Sequence, residues 1–361
     1  MTTQNRTLEQ TELNIGIVAL TDCAPLVMAK HLGFFKQWGL DVNLHIQHSW
    51  ATVRDRLHAG LLDAAQVLAP MPFASTLGLN GAKCDVINAF NLSMNGNGIT
   101  ISVALFDQIT KLNHGEEPSL PLDSSWIKQV VINRQKNGEA KLRFAAVYPY
   151  SCHFYQLRDW LSLAGIDVDN DIEIIIIPPT EMTTSLEKND IDGFCVGTPW
   201  NTKAVRAGIG ATVITSCDIW HEAPEKVLAV TKQWQQKNPN TFLAMLAAVQ
   251  QTCEWLDSIA NRFEAARVLQ TYLDESLDVI APSLIGSCLT TKDGAPRSIP
   301  AYNRFISKDA NLPQLSQGRV LLDKMVLANQ LPKDFTQAMK QQLLKDVYRP
   351  DLYQEMLNLR R

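Results

Sequence analysis

Apolar and polar positions along the chain follow two rhythms. As far as about residue 230, short apolar runs alternate with segments of helical spacing; beyond it the helical spacing takes over. Residues 14–20 read as a strand. Thr21-Asp22 then precedes a helical pattern over 24–38, with Pro25 in the first turn, where a missing N–H costs little. Val42, Leu44 and Ile46 share one face of a strand over 41–47, as half-burial requires. Ser49 caps a short helix ending near Gly60, and 62–68 and 84–92 read as further strands. After a polar stretch at 113–125 the rhythm restarts with a strand at 143–147 and a helix over 151–164. A nearly unbroken apolar strand at 172–177, of the kind buried in parallel sheets, follows. Next come a helix near 181–188, a strand at 193–196 and a helix opened by Thr198-Pro199. After a strand at 226–230 the pattern is helical over 239–258, 261–273, 314–328 and 333–347.

This βαβ alternation predicts an α/β protein with mainly parallel sheets and ligands at the carboxyl ends of the strands. Two such lobes followed by a helical C-terminal third suggest a clamshell whose chain crosses between lobes twice. The 361 residues suffice for two domains.

Composition narrows the function. With 46% hydrophobic and 19% charged residues the chain is globular, and a formal net charge of −4 disfavours general binding to nucleic acid or acidic membranes. No stretch has the apolar length of a membrane span, and the first apolar run is too short for a signal peptide, so a cytoplasmic location is expected. The seven scattered cysteines contain no C-x-x-C pair, which suits a reducing compartment.

Catalytic motifs are missing: there is no G-x-S-x-G, P-loop, H-E-x-x-H or G-x-G-x-x-G, and Asn95-Gly96-Asn97-Gly98 lacks dinucleotide spacing. His45 and His48 fall on opposite faces of a strand or its end, so no metal site is expected from them, and the adjacent Cys152-His153 do not suit a nucleophile–base pair. A non-enzymatic protein without cofactor or metal is the expectation. Three segments stand out. Thr21-Asp22-Cys23-Ala24-Pro25 places backbone N–H groups at the end of the first strand, with Asp22 expected to cap the helix. Ser49-Trp50-Ala51-Thr52-Val53-Arg54-Asp55 puts an indole, a donor without acceptor function, in a first helical turn, while Arg54 and Asp55 are expected to pair or face solvent. Asp192–Asn201 is a strand-to-helix turn in which Gly197 permits close approach, Thr198 caps and Trp200 could wall a cleft.

Together with Gly33-Phe34-Phe35, Leu62-Asp63-Ala64-Ala65-Gln66, Ala69-Pro70-Met71-Pro72, Asn95-Gly96-Asn97-Gly98-Ile99 and Pro224-Glu225-Lys226-Val227-Leu228, these segments form an ordered set. The set resembles the nitrate- and bicarbonate-binding proteins of ABC transporters. It is more similar to their cytoplasmic relatives, the nitrate/nitrite sensors (NasS type) of assimilatory operons. The resemblance implies a type II periplasmic-binding-protein fold, with one lobe formed by 1–101 plus 223–361, the other by 102–222, and an anion site in the cleft between them. It further implies that Trp50 lines the site and that Asn95 stands where relatives often have glutamine. Lys226 is to supply the positive charge, with no carboxylate facing the anion. Some transporter-type relatives use a histidine shortly after the strand at 143–146; Val147 or Tyr148 is nearest here, with Tyr148 and Ser151 as substitutes. Gln66 and Thr198 complete the candidate ligand set.

In the sensor branch the implied partner is an RNA-binding antiterminator (NasT type), with no direct contact to nucleic acid or membrane. The alternative is an ABC-transporter receptor delivering nitrate, bicarbonate or a small organic anion to a permease. A third class, an enzyme of pyrimidine-precursor synthesis on a similar fold, would need cysteine-rich machinery that the sequence lacks.

Overall fold

The computed structural model describes residues 7–79, 81–307 and 309–360. The chain begins with β1 (Glu12–Val18), a 3-10 turn (Thr21–Cys23), α1 (Ala24–His31), α2 (Phe34–Gln37), β2 (Asp41–Gln47), α3 (Trp50–His58), β3 (Ala64–Leu68) and α4 (Met71–Leu77). It continues through β4 (Val86–Asn95), β5 (Asn97–Ser102), α5 (Val103–Leu112), α6 (Ser125–Asn137), β6 (Arg143–Ala146), α7 (Cys152–Leu163) and β7 (Glu173–Ile176). Then come α8 (Met182–Glu187), β8 (Gly193–Gly197), α9 (Trp200–Arg206), β9 (Gly210–Thr215), α10 (Ser216–Ile219) and β10 (Pro224–Thr231). The remainder is mostly helical: α11 (Lys232–Lys237), α12 (Pro239–Trp255), α13 (Ile259–Leu273), α14 (Leu277–Leu284), α15 (Leu315–Leu327), α16 (Gln337–Val347) and α17 (Pro350–Leu359).

The chain divides into two compact units. The first holds the described residues to Met94, Pro224–Leu273 and those from Arg304 on; the second holds Asn95–Ala223 and Asp274–Asn303. The chain therefore passes between units at four points rather than two. Residues 274–303, assigned from the sequence to the first lobe, pack with the second unit, as do residues 95–101 and Ala223.

In the first unit the strands run in the order β4-β10-β3-β1-β2. β1 is parallel to β2 and β3, with Leu13, Ile15 and Ile17 fully buried between the layers. Helix α12 is apolar on nearly all sides and packs against α1, α2 and α17, which makes it a core helix of this unit. Gly16 is required where β1 passes Leu62, because a Cβ there would lie 2.6 Å from the Leu62 Cδ1. The single helix expected over 24–38 is interrupted at Gly33, whose φ of +75° ends α1 and starts α2.

In the second unit the order is β7-β6-β8-β5-β9. Its core joins Ile99, Ile101, Phe106, Phe144, Trp160 and Val213, and the Trp160 indole N–H donates to the Leu122 carbonyl at 3.1 Å. The apolar run over 172–177 forms β7, but at the sheet edge, with Glu173 exposed and Ile176 44% exposed. A run without polar interruptions does not tell an edge strand from a central one.

Both sheets are mixed. β1-β2, β1-β3, β6-β7 and β6-β8 are parallel, whereas β10 runs antiparallel to β3 and β4, and β5 to β8 and β9. The expected parallel character thus holds for the βαβ portions only. No helix of the described residues is long and apolar enough to cross a membrane.

Candidate functional site

The first unit collects a charged group beyond the carboxyl end of β1. The turn after that strand carries Asp22, β3 carries Gln66, and β10 carries Glu225 and Lys226; all are at most 2% exposed. Gln66 is clamped from behind, since the Val18 N–H donates to its Oε1 at 3.0 Å. Its Nε2 then donates to Asp22 Oδ1 at 2.5 Å. Lys226 Nζ reaches Asp22 Oδ2 at 2.9 Å and Glu225 Oε1 at 2.7 Å. Trp50 opens α3 behind the Ser49 cap, whose Oγ accepts from the Thr52 N–H at 3.2 Å. Lys226 Nζ lies 5.4 Å from the centre of the Trp50 ring, within the range of a cation–π contact.

Backbone irregularity produces this arrangement. β10 keeps an unbroken register with β3, pairing Lys226 with Leu68, Val227 with Val67 and Leu228 with Gln66. Against β4 the register shifts on both sides of the Lys226–Ser93 pair, leaving Glu225 as an extra residue on one strand and Leu92 on the other. Sequence neighbours on a regular strand point to opposite faces; the bulge re-aims Glu225 so that its carboxylate and the Lys226 ammonium meet.

Electrostatics favours the protonated form of Lys226. Burial alone would lower the lysine's affinity for its proton, but Asp22 and Glu225 outweigh it and raise the Lys226 pKa above the ordinary value. Burial pushes the Asp22 carboxyl up, against the pull of Lys226 and Gln66. The Cys23 thiol, also buried, is pushed up as well, so it is no nucleophile at neutral pH. An ammonium has three donors. Asp22 and Glu225 take two of them and hold the charge on, leaving one for a further acceptor. Near it, the Trp50 indole N–H is buried and has no hydrogen-bond partner.

One sequence expectation is corrected here. Asp22 caps no helix: α1 has no side-chain cap, and Asp22 is an ion-pair partner instead. The carboxylates on Lys226 were not foreseen; the sequence places Asp22 about two hundred residues away, and only the fold brings the two together. Arg54 and Asp55 do pair at the surface, at 2.7 Å. His45 binds Asn14 Oδ1 at 2.8 Å, and among the described residues no cluster of three metal-ligating side chains occurs.

The remaining candidates lie in the second unit. Asn95, at φ 62°, uses its amide at both ends: Nδ2 donates to the Ala301 carbonyl and Oδ1 accepts from the Ala223 N–H, both at 3.0 Å. Ser151 caps α7, accepting from the Phe154 N–H at 3.0 Å and donating to the Tyr148 carbonyl at 2.6 Å. Tyr148 is buried, its ring tilted against Tyr150. Thr198 Oγ1 accepts from Asn303 Nδ2 at 3.1 Å. The structure brings Trp50, Gln66 and Lys226 together, whereas Asn95 and Ser151 have structural tasks of their own. Trp200, fully inside, stacks under the Lys203 ammonium rather than standing open.

Glu225, quoted in the sequence only as part of the Pro224–Leu228 segment, was not foreseen as a member of the charged group. His153 is fully buried in the first turn of α7, a few residues beyond the positions where a histidine was sought. The helix start at Ser151 was legible and shows that the first-turn positions follow it directly.

Residues 6–270 match the model of the NMT1-like family. The chain belongs to that family. It is also 30% identical over 357 residues to the nitrate/nitrite binding protein NrtA of Nostoc sp. (strain PCC 7120), covering 96% of this chain and 77% of that protein. Similarity to the nitrate import ATP-binding protein NrtC of Synechocystis sp. is 34% over 354 residues, and here the chain spans only half of the relative's length. The crystal structure of the periplasmic nitrate-binding protein NrtA from Synechocystis superposes with a TM-score of 0.89 at 26% identity, over 98% of this chain and 90% of that one. Members of the family with this fold are substrate-binding proteins, and the periplasmic-binding-protein-like fold with two α/β lobes is that of this chain.

Proposed function

We propose that the chain binds a small planar oxyanion, nitrate or nitrite, through Lys226 and Trp50. One observation carries this reading: a buried indole N–H with no partner stands beside a buried ammonium that has a donor to spare. Unmatched buried donors are destabilising until an acceptor arrives, and an anion of weak basicity supplies several acceptor oxygens at once. The relatives' names support nitrate or nitrite, and hydrogen carbonate is the competing anion of similar shape.

In this reading the protein is a cytoplasmic, non-enzymatic sensor. The anion-bound form differs in affinity for an RNA-binding antiterminator, and by linkage the partner changes anion affinity by the same factor. The ordered segments described above support the sensor branch. A second reading, a receptor that delivers the anion to an ABC permease, is favoured by the alignment with NrtA over 96% of the chain.

Thermal unfolding of the purified protein with nitrate, nitrite, hydrogen carbonate and chloride tests the binding step. A ligand at 100 times its Kd adds roughly 2.7 kcal/mol to stability. The expected result is a shift with nitrate or nitrite that Trp50→Phe diminishes and Lys226→Ala abolishes. No shift with any of these anions overturns the reading. Nitrate-dependent co-purification of an antiterminator favours the sensor, and nitrate-dependent stimulation of a permease ATPase favours the transport receptor.

A further inference from the structure

Directly across from Lys226 on β4 sits Ser93. Residues paired in this way across antiparallel strands project to the same face, with Cβ atoms roughly 5 Å apart. That face is the one on which α3 packs against β1, β3 and β10, since Lys226 Nζ lies over the Trp50 ring. Ser93 is 1% exposed, and its hydroxyl has no hydrogen-bond partner. Other buried hydroxyls in the sheets and helices are matched, as where Thr100 and Thr212 bond each other at 2.9 Å and Thr252 donates to the Ala248 carbonyl at 2.9 Å. Thr110 Oγ1, like Ser93 Oγ, has no hydrogen-bond partner. Two independently unmatched polar atoms, Ser93 Oγ and Trp50 Nε1, therefore lie on the face that carries the Lys226 ammonium. The register shifts on either side fix only this one pair between them, so the serine's position is set by the irregularity that creates the charged group.

We infer that Ser93 is a ligand-contacting, specificity-determining residue whose hydroxyl donates to one oxygen of the anion held by Lys226 and Trp50. The inference rests on the anion-binding reading and deepens it. Nitrate offers three oxygens to three donors: the ammonium, the indole and the serine hydroxyl. Nitrite is bent and lacks the third oxygen, so it meets the same three donors only by sharing an oxygen between two of them or by turning its nitrogen lone pair to one. Ser93 thereby favours the three-oxygen anion, and an apolar residue in its place removes that preference.

The test is calorimetric titration of nitrate and nitrite into wild-type protein, Ser93→Ala and Ser93→Cys, with the melting temperature of each in the absence of anion. Ser93→Cys nearly keeps the volume and supplies a poor donor, so it carries the test should the alanine variant fold badly. A hydrogen bond to a charged group predicts a roughly 10- to 100-fold loss of nitrate affinity and a smaller loss for nitrite. The nitrate-to-nitrite preference falls accordingly, while the anion-free melting temperature stays level or rises. Unchanged nitrate affinity overturns the inference, and so does an equal loss for both anions with a lowered anion-free melting temperature, which would mark Ser93 as structural. If the wild type binds neither anion, the anion-binding reading falls and this inference with it. If the wild type binds and Ser93→Ala binds equally well, this inference alone falls.

Discussion

The two units bury polar groups in different ways. Among the described residues, the buried Asp, Glu, Lys and Arg side chains (Asp22, Glu225, Lys226, Arg262 and Lys340) belong to the first unit. The second unit buries amides, hydroxyls and one imidazole: Asn95, Asn97, Thr100, His153, Gln156, Thr198, Asn201 and Thr212 among them. Neutral groups cost less to desolvate and need only directional partners, so a network of them specifies shape. Buried charges cost more, and Asp22, Glu225 and Lys226 offset that cost by holding one another in place. The first unit also buries amides such as Asn88, Asn91 and Asn311, so what sets it apart is its buried charge.

Removing the cation should break the comparison most severely. Lys226→Met leaves Asp22 and Glu225 buried without their ammonium, and a loss of about 3–5 kcal/mol is expected in urea unfolding. Adding Asp22→Asn and Glu225→Gln to that variant should regain most of it. A loss under about 1 kcal/mol for Lys226→Met would mean that the group is open to water, contrary to its burial. The neutral network should respond less. Asn201→Ala removes donors to the Gly98 carbonyl at 2.9 Å and Thr100 Oγ1 at 3.1 Å, for an expected cost of about 1–3 kcal/mol by the same measurement. Equal costs at Lys226 and Asn201 would erase the distinction between the units.

The smallest effect tests the second unit's periphery by pH. Burial raises the Asp218 pKa, but Arg297 and the Thr215 capping contacts more than offset it, holding the carboxyl below its ordinary 3.8. A depressed folded pKa contributes stability that is present above 3.8 and is lost as pH falls through the lower folded value. The pair is partly exposed, so about 1 kcal/mol is expected. Arg297→Leu should therefore be less stable than wild type near neutrality, and the gap should close in acid. A gap that widens below pH 4 would reverse the sign of the coupling.

How much of this was legible in the sequence depended on the range of the interaction. The strand at residues 41–47, the Ser49 cap, the helix start at Ser151 and the strand-to-helix turn at Gly197-Thr198 are local matters of spacing and turn chemistry, and they were read correctly. Thr198, however, caps nothing: α9 has no side-chain cap, and the Thr198 hydroxyl accepts from Asn303 instead. The edge position of β7 was not, because pairing order is a tertiary property. Trp50 and Lys226 were singled out by resemblance, whereas the carboxylates that hold Lys226 were not foreseen. A carboxylate two hundred residues away leaves no periodic trace, and Asp22 next to a proline-started helix has every local mark of a cap. Ser93 gave no signal at all: one serine in a strand that also carries Asn88, Asn91 and Asn95 acquires meaning only from the residue paired across the ladder.

The uneven pairing of β10 also bears on how such a site can change over generations. The strand is ruled on its β3 side, where every residue from Lys226 to Ala229 has a fixed opposite number, and slack on its β4 side. A residue gained or lost near Leu92 would slide a different side chain into the place of Ser93 while the lysine stayed put. Ligand preference in this architecture is therefore open to revision by insertion and deletion as well as by substitution, with the charge anchored and its neighbour exchangeable.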